Sequence, residues 1–219
     1  MRILVTGANG FIGKNLIAGL ENKGYTDIYK CNKDTKENEL RFYLKNCDYI
    51  YHLAGVNRPK NNNEYMEENY GFTKKILDEL VENDNRPKIL FASSIKVKND
   101  SLYGKSKKAA EEILLEYKNN VDENVIIYRL SNVFGKWSKP NYNSVIATFA
   151  NNISRNEEIF ISNPKKTLDL IYIDDVIEEF INMVEDKINY KEDIHYVKKV
   201  YLVNIENIAN LLYSFKNSR

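Results

Sequence analysis

The 219-residue chain predicts an α/β fold, a Rossmann-like doubly wound parallel sheet with a small C-terminal lobe. Three observations predict it. Short apolar runs alternate with segments of helical periodicity through the first 130 residues, the pattern of strand–helix units on a parallel sheet. The first run opens directly into a glycine turn, Gly7-x-x-Gly10-x-x-Gly13, and then into a helix. No linker-like or low-complexity stretch divides the chain, so residues 1–219 read as a single unit whose character changes near residue 130.

Residues 2–6 are apolar enough for a strand buried on both faces. Gly7 allows a tight turn, Gly10 a close approach of a pyrophosphate, and Gly13 close packing of the next helix. That helix, residues 14–23, places Leu16, Ile17 and Leu20 on one face. Exposed amides at its start suit phosphate. A glycine turn with no ligand is the plainer alternative. Residues 27–31 form a second strand, and its end selects the cofactor. An acid there binds the ribose 2′-hydroxyl of NAD, whereas a base accommodates the 2′-phosphate of NADP. Asn32-Lys33-Asp34 stands at this point. Lys33 favours NADPH over NADH; Asp34 keeps NAD open.

Residues 37–47 form a short helix and 48–53 a third strand, ending in Leu53-Ala54-Gly55, small enough for a loop close to a cofactor. His52 reads as a packed core histidine. A polar loop, 56–63, carries Arg58 and Pro59, and 64–82 has helical periodicity. The fourth strand, 88–92, delivers Ser93 and Ser94 to the C-terminal edge of the sheet, where ligands bind in such folds. A helix over 103–117 turns Ala109, Ala110, Ile113 and Leu114 inward, and 125–130 is a fifth strand followed by a turn at 131–135. Beyond lie an irregular loop (136–143), a helix (145–153), a short strand (158–162) and an apolar run (168–173). Asp174 and Asp175 begin a helix over 176–184, where acids suit the dipole. Residues 186–199 are polar and without clear pattern. A late strand, 200–203, precedes a last helix, 205–215, capped by Asn204.

Composition narrows the function. The content of 43% hydrophobic and 29% charged residues is ordinary for a globular protein. A net charge of +1 with interspersed lysines and acids leaves no footprint for nucleic acid. No apolar run reaches transmembrane length, and Met1-Arg2 leads straight into a strand rather than a signal peptide. The expectation is a cytoplasmic protein with neither nucleic-acid nor membrane partner. Cys31 and Cys47 have no metal-ligand spacing and make no disulfide framework, so no metal site is expected.

The chemistry-bearing pair is Tyr103 and Lys107, four residues apart on one helical face. A phenol is mostly protonated at neutral pH, and a neighbouring ammonium favours its ionised form. The pair therefore suits proton donation to an alkoxide forming from a carbonyl. Ser94, at the preceding strand end, is placed to hydrogen-bond that carbonyl oxygen. Each feature alone is common: many helices carry Tyr and Lys at this spacing, and serine pairs often only cap a turn.

The motifs agree in order. Gly7-x-x-Gly10-x-x-Gly13, His52-Leu-Ala-Gly55, Asn69-x-Gly71, Ser93-Ser94, Tyr103-x-x-x-Lys107, Arg129-Leu-Ser-Asn-Val-Phe-Gly135 and Tyr172-Ile-Asp-Asp-Val176 together resemble the extended short-chain dehydrogenase/reductases that act on nucleotide sugars. The resemblance covers nearly the whole chain. Residues 52–59, 134–149 and 155–158 look, more narrowly, like the capsular-polysaccharide reductases. Those enzymes make UDP-2-acetamido-2,6-dideoxy-L-talose from a 4-keto precursor, on the path to UDP-N-acetyl-L-fucosamine, with NADPH.

The resemblance implies a mainly cofactor-binding part over about 1–130 and a mainly substrate-binding lobe over about 131–219. It implies Tyr103 as general acid, Lys107 as its modulator and ribose ligand, and Ser94 as orienter of the C4 carbonyl. Gly7, Asn9, Gly10, Phe11, Ile12, Gly13, Lys33, Leu53, Ala54 and Gly55 would join Tyr103 and Lys107 around the cofactor. Asn132, Asn141, Tyr142, Asn143 and Arg58 would meet the UDP-sugar with Ser94. Asn69 reads as structural support, and a homodimer is a possible assembly. Two departures qualify the resemblance. Such proteins continue into a C-terminal metal-binding cupin domain tied to C3 epimerisation, neither of which is assigned to these residues. The acidic and apolar pair that receives adenine is not evident near Glu37–Leu40. A 4,6-dehydratase or C4 epimerase is the alternative on this scaffold, disfavoured because Ser94-Ile95-Lys96 offers no acid. A non-catalytic NADP-binding remnant is the other.

Overall fold

The structure is a computed structural model, and it describes residues 1–121, 125–187 and 192–218. The chain runs β1 (Ile3–Thr6), α1 (Phe11–Asn22), β2 (Ile28–Cys31), α2 (Glu37–Asn46), β3 (Tyr49–His52), a π-helical turn (Met66–Gly71), α3 (Phe72–Glu82) and β4 (Lys88–Ser94). A 3₁₀ turn (Ile95–Lys98) leads to α4 (Leu102–Val121), β5 (Val125–Leu130), β6 (Asn132–Phe134), α5 (Val145–Ser154), β7 (Thr167–Tyr172) and α6 (Ile173–Val184). β8 (Ile194–His195), β9 (Tyr201–Asn204) and α7 (Ile205–Asn217) complete it. Contacts divide the chain into two compact units: Met1–Leu130 with Ile177–Tyr196, and Ser131–Val176 with Val197–Arg219.

The first unit holds a parallel sheet in the order β2-β1-β3-β4-β5-β8. Every residue of β1 and β3 is buried, as both faces of a parallel sheet are covered. On one face Leu4, Ile50, Phe91 and Ile127 meet Leu40, Leu44, Ile76, Leu80, Ala110 and Leu114 from α2, α3 and α4. On the other, the Phe180 ring lies against Tyr51 and Tyr128, with centroids 6.1 and 5.2 Å away, and Tyr51 donates a 2.8 Å hydrogen bond to the Phe180 carbonyl. The strand order reverses between β1 and β3. Ligands of such sheets bind at the carboxyl ends of the strands beside that switch point.

The region 64–82 departs from one regular helix. Asn69 turns its amide to the Val56 backbone, donating to the carbonyl at 3.1 Å and accepting from the N–H at 2.8 Å. Thr73 donates to the Asn69 carbonyl at 2.6 Å. The Thr73 bond draws on a carbonyl that a regular ladder would use, and the segment is a π-helical turn.

The second unit has a three-stranded sheet, β6-β7-β9, with β6 and β7 parallel and β7 and β9 antiparallel. Phe149, Ile153, Leu170, Ile208 and Ala209 form its core. Ser144 caps α5 and Asn204 caps α7, the latter accepting the Asn207 N–H at 2.7 Å. The strand expected over 158–162 is absent: Phe160 is 87% exposed, so this apolar residue has no sheet to join. Residues 132–134, expected as part of a turn, pair instead as β6.

Candidate active site

The glycine turn stands at the carboxyl end of β1. Gly7 has φ +66°, a conformation that favours glycine. A β-carbon on Gly13 would meet the Gly7 carbonyl oxygen at 2.3 Å, so the first turn of α1 folds back on the loop only because Gly13 has none. No side chain caps α1 at Gly10, leaving amides at its start for an anion. The Asn9 N–H is engaged, donating to Asn32 Oδ1 at 2.7 Å. Phe11 and Ile12 are half-buried in the first turn.

Behind the turn, His52 fastens three segments. Thr6 Oγ1 accepts the Leu53 and Ala54 N–H groups, each at 3.1 Å, so its own proton goes to His52 Nδ1 at 2.8 Å. Thr73 Oγ1 spends its proton on the Asn69 carbonyl and so accepts from His52 Nε2 at 2.9 Å. Donor counting fixes the neutral Nε2–H tautomer. Burial, with Lys107 nearby, pushes the imidazole down to about 3. The unfolded chain, with an ordinary histidine, then binds a proton that the folded one refuses as pH falls from 6.5 towards 3. This histidine therefore removes stability over that window at about 1.4 kcal/mol per pH unit. Denaturant titrations at pH 7 and pH 5 test this: a His52→Asn variant is expected to lose about 2 kcal/mol less between them than the native chain.

Ser93 and Ser94 end β4 on opposite faces. Ser93 Oγ donates to the Glu111 carboxylate. Ser94 Oγ accepts the Lys96 N–H at 3.2 Å, which leaves its hydroxyl proton to donate elsewhere. Tyr103 opens α4 half-buried; its ring stands edge-on to Tyr65 at 6.2 Å, and Lys96 Nζ lies 5.9 Å from its centroid. Its carbonyl accepts Ser106 Oγ at 2.9 Å, and Ser106 Oγ in turn accepts from Asn69 Nδ2 at 2.9 Å. The turn bearing Tyr103 is thus tied to the loop after β3 through Asn69. Lys107, one turn on, is 4% exposed, with Nζ 4.1 Å from the Phe91 ring centroid. A β-carbon on Gly55 would stand 3.7 Å from that Nζ, so Leu53-Ala54-Gly55 borders the ammonium. Burial lowers Lys107 to about 7, against an upward pull from Glu111.

Sequence reasoning missed the buried Glu111. It lies on α4 one turn beyond Lys107 and takes a forked ion pair from Arg129 of β5, with contacts of 2.6, 3.1 and 3.2 Å. An acid four residues after the lysine, inside an inward apolar face, was the available signal. Lys33 pairs with Glu68 at 3.2 Å on the surface, and Arg58 is exposed in the loop after β3. Four candidates belong to the second unit. Asn132 and Asn143 border a cavity of about 190 Å³ that Phe134, Ser144, Lys166 and Leu168 also line. Asn132 Nδ2 donates to the Asp169 carbonyl at 3.1 Å. Asn141 has φ +56° and donates its N–H to Thr148 Oγ1 at 2.9 Å; Tyr142 is 40% exposed. Among the described residues no His, Cys, Asp or Glu cluster could hold a metal, and no helix is long and apolar enough to cross a membrane.

The profile of the NAD dependent epimerase/dehydratase family matches residues 3–197. The chain belongs to this family. Within it, the chain is 39% identical over 219 residues to a UDP-2-acetamido-2,6-beta-L-arabino-hexul-4-ose reductase of Pseudomonas aeruginosa, covering all of this chain and 59% of that one. The crystal structure of the capsular polysaccharide assembling protein CapF from Staphylococcus aureus superposes with a TM-score of 0.90 at 43% identity, again over the whole chain and 59% of that protein. The chain thus spans 59% of the length of these two relatives. The UDP-glucuronic acid 4-epimerase of Bacillus cereus, solved with NAD, has a TM-score of 0.86 at 21% identity and shares the fold. The Rossmann-like doubly wound sheet expected from the sequence is the fold of this family.

Proposed function

We propose that the chain reduces the C4 ketone of a UDP-2-acetamido-2,6-dideoxy-4-keto-hexose with NADPH, in precursor synthesis for a capsule or surface polysaccharide. The observation that carries this reading is Tyr103 one helical turn from a buried Lys107 beside Gly55, with Ser94 at the adjoining strand end. The reductase relative from P. aeruginosa supports the substrate class.

The residues fit a dinucleotide. The uncapped start of α1 and the close Gly7–Gly13 approach suit its pyrophosphate, and the Gly55 loop borders Lys107. A dinucleotide held there would supply the hydride for reduction at C4. Ser94 donates a hydrogen bond from its hydroxyl to the ketone oxygen and orients it. Tyr103 gives its phenolic proton to O4 as the alkoxide forms. Lys107 stabilises the phenolate left behind and holds the ribose hydroxyls. Arg58, Asn132, Asn141, Tyr142 and Asn143 complete the proposed substrate contacts. Deuterium supplied as the stereospecifically labelled reduced cofactor is expected at C4 of the product sugar. Loss of water from a nucleotide sugar without net cofactor consumption would instead mean a dehydratase. The Lys96 ammonium beside Tyr103, where a dehydratase needs an acid, speaks against that outcome.

The choice of NADPH rests on Lys33. Its bond to Glu68 joins side chains 72% and 41% exposed, so exchanging it for a 2′-phosphate costs little. Lys33→Ala is expected to weaken NADPH roughly tenfold and to leave NADH nearly unchanged in fluorescence titrations. Equal losses for both would contradict the assignment.

A further inference from the structure

We propose that Glu111, clamped by Arg129 and Ser93, is a positioning residue that keeps Lys107 charged, and that this buried pair sets the pH range in which Lys107 engages an anionic cofactor. The role of Lys107 toward the cofactor rests on the function proposed above; its titration does not.

The geometry is specific. Lys107 is almost wholly buried, its ammonium faces the Phe91 ring of β4, and among the described residues it has no ion pair within 4.0 Å. A charge so placed is unstable unless an opposite charge acts on it. Positions four apart on a helix lie on one face, so Glu111 stands one turn along from Lys107. Its side chain is 4% exposed and fixed from two strands, by Ser93 of β4 and by the fork of Arg129 of β5, itself 19% exposed. Tyr196 also raises Arg129. The carboxylate therefore cannot swing to water.

His52 of β3 is held neutral by its two threonines. Tyr103 lies one turn before it on α4, Phe91 carries no charge, and Gly55 and Asn69 from the flanking segments are uncharged. Glu111 is the acid that raises Lys107, while burial opposes it and leaves the balance near neutrality. Arg129 pairs with the carboxylate and partly offsets its field. The two members of the pair therefore pull Lys107 in opposite directions.

That opposition supplies the test. The ¹³Cε resonance of Lys107, assigned by its loss in Lys107→Met, is titrated in the cofactor-free chain. Glu111→Gln is expected to lower the Lys107 midpoint by about 1 pH unit, and Arg129→Gln to raise it. Should either single variant not fold, the double variant Glu111→Gln/Arg129→Gln removes both members of the ion pair together, and its midpoint is expected below the native one because Glu111 is the charge that raises Lys107. Midpoints unmoved in the folded variants, or moved in the same direction by both single changes, would overturn the proposal and leave the pair a purely structural clamp. NADPH affinity against pH is read on the same proteins. Affinity that follows the shifted midpoints supports both readings. Midpoints that shift while affinity does not would keep Glu111 as the residue that holds Lys107 charged, but would overturn the cofactor part of the proposal and remove Lys107 from the cofactor site.

Discussion

Tyr103→Phe is expected to bind NADPH as the native chain does and to lose reduction of the 4-keto sugar by about 10²- to 10⁴-fold. The change removes one oxygen from a half-buried ring at the start of α4. The bonds of its backbone survive the change: the Tyr103 carbonyl accepts Ser106 Oγ, which accepts from Asn69. Packing against Tyr65 is also a ring contact. The proton source at O4 is lost. A fall in kcat with KM and cofactor affinity unchanged is the expected signature. Full activity in this variant would show that another group protonates the sugar oxygen.

Lys107→Met is expected to inactivate the chain and to stabilise it. An ordinary lysine titrates near 10.5, and burial brings this one to about 7. The unfolded chain binds the proton more tightly, so between pH 7 and 10.5 the native protein gains stability as pH rises, and at pH 7 and below Lys107 opposes folding. Replacing such a group by an apolar one of similar length typically gains about 1–4 kcal/mol. The Glu111–Arg129 pair left behind compensates itself. Thermal unfolding at pH 7 is expected to shift up by several degrees. The native rise in stability between pH 7 and pH 9 is expected to flatten in the variant. A variant less stable than the native chain would mean that Lys107 makes net favourable contacts in its burial site.

Much of the first unit is legible because its physics is local or periodic. Buried parallel strands appear as apolar runs, as β1 does, and the alternation of strand and helix segments marks β3, β4 and β5. The glycine turn follows from spacing, and the Tyr103–Lys107 register from helical pitch. His52, read as a packed histidine, is fully enclosed between Thr6 and Thr73. What escaped depends on partners distant in sequence. The π-helical turn at Asn69 needs Val56 and Ser106, and Glu111 needs Arg129, 18 residues on. Lys33 finds Glu68 35 residues away. The short strands of the second unit have the same mixture of apolar and polar residues as its loops. β6 has three residues, while the apolar Phe160 stays in solvent. Only pairing across the sheet separates the two cases, and pairing is not written in either segment alone.

The most direct measurement is NADPH oxidation by the purified chain, followed by near-ultraviolet absorbance. The substrate is a UDP-2-acetamido-2,6-dideoxy-4-keto-hexose offered as each C3 epimer. The account predicts stoichiometric oxidation with at least one epimer, and its loss in Tyr103→Phe. Tight NADPH binding with no oxidation of either epimer would contradict it and leave a cofactor-binding unit without reductase activity of its own.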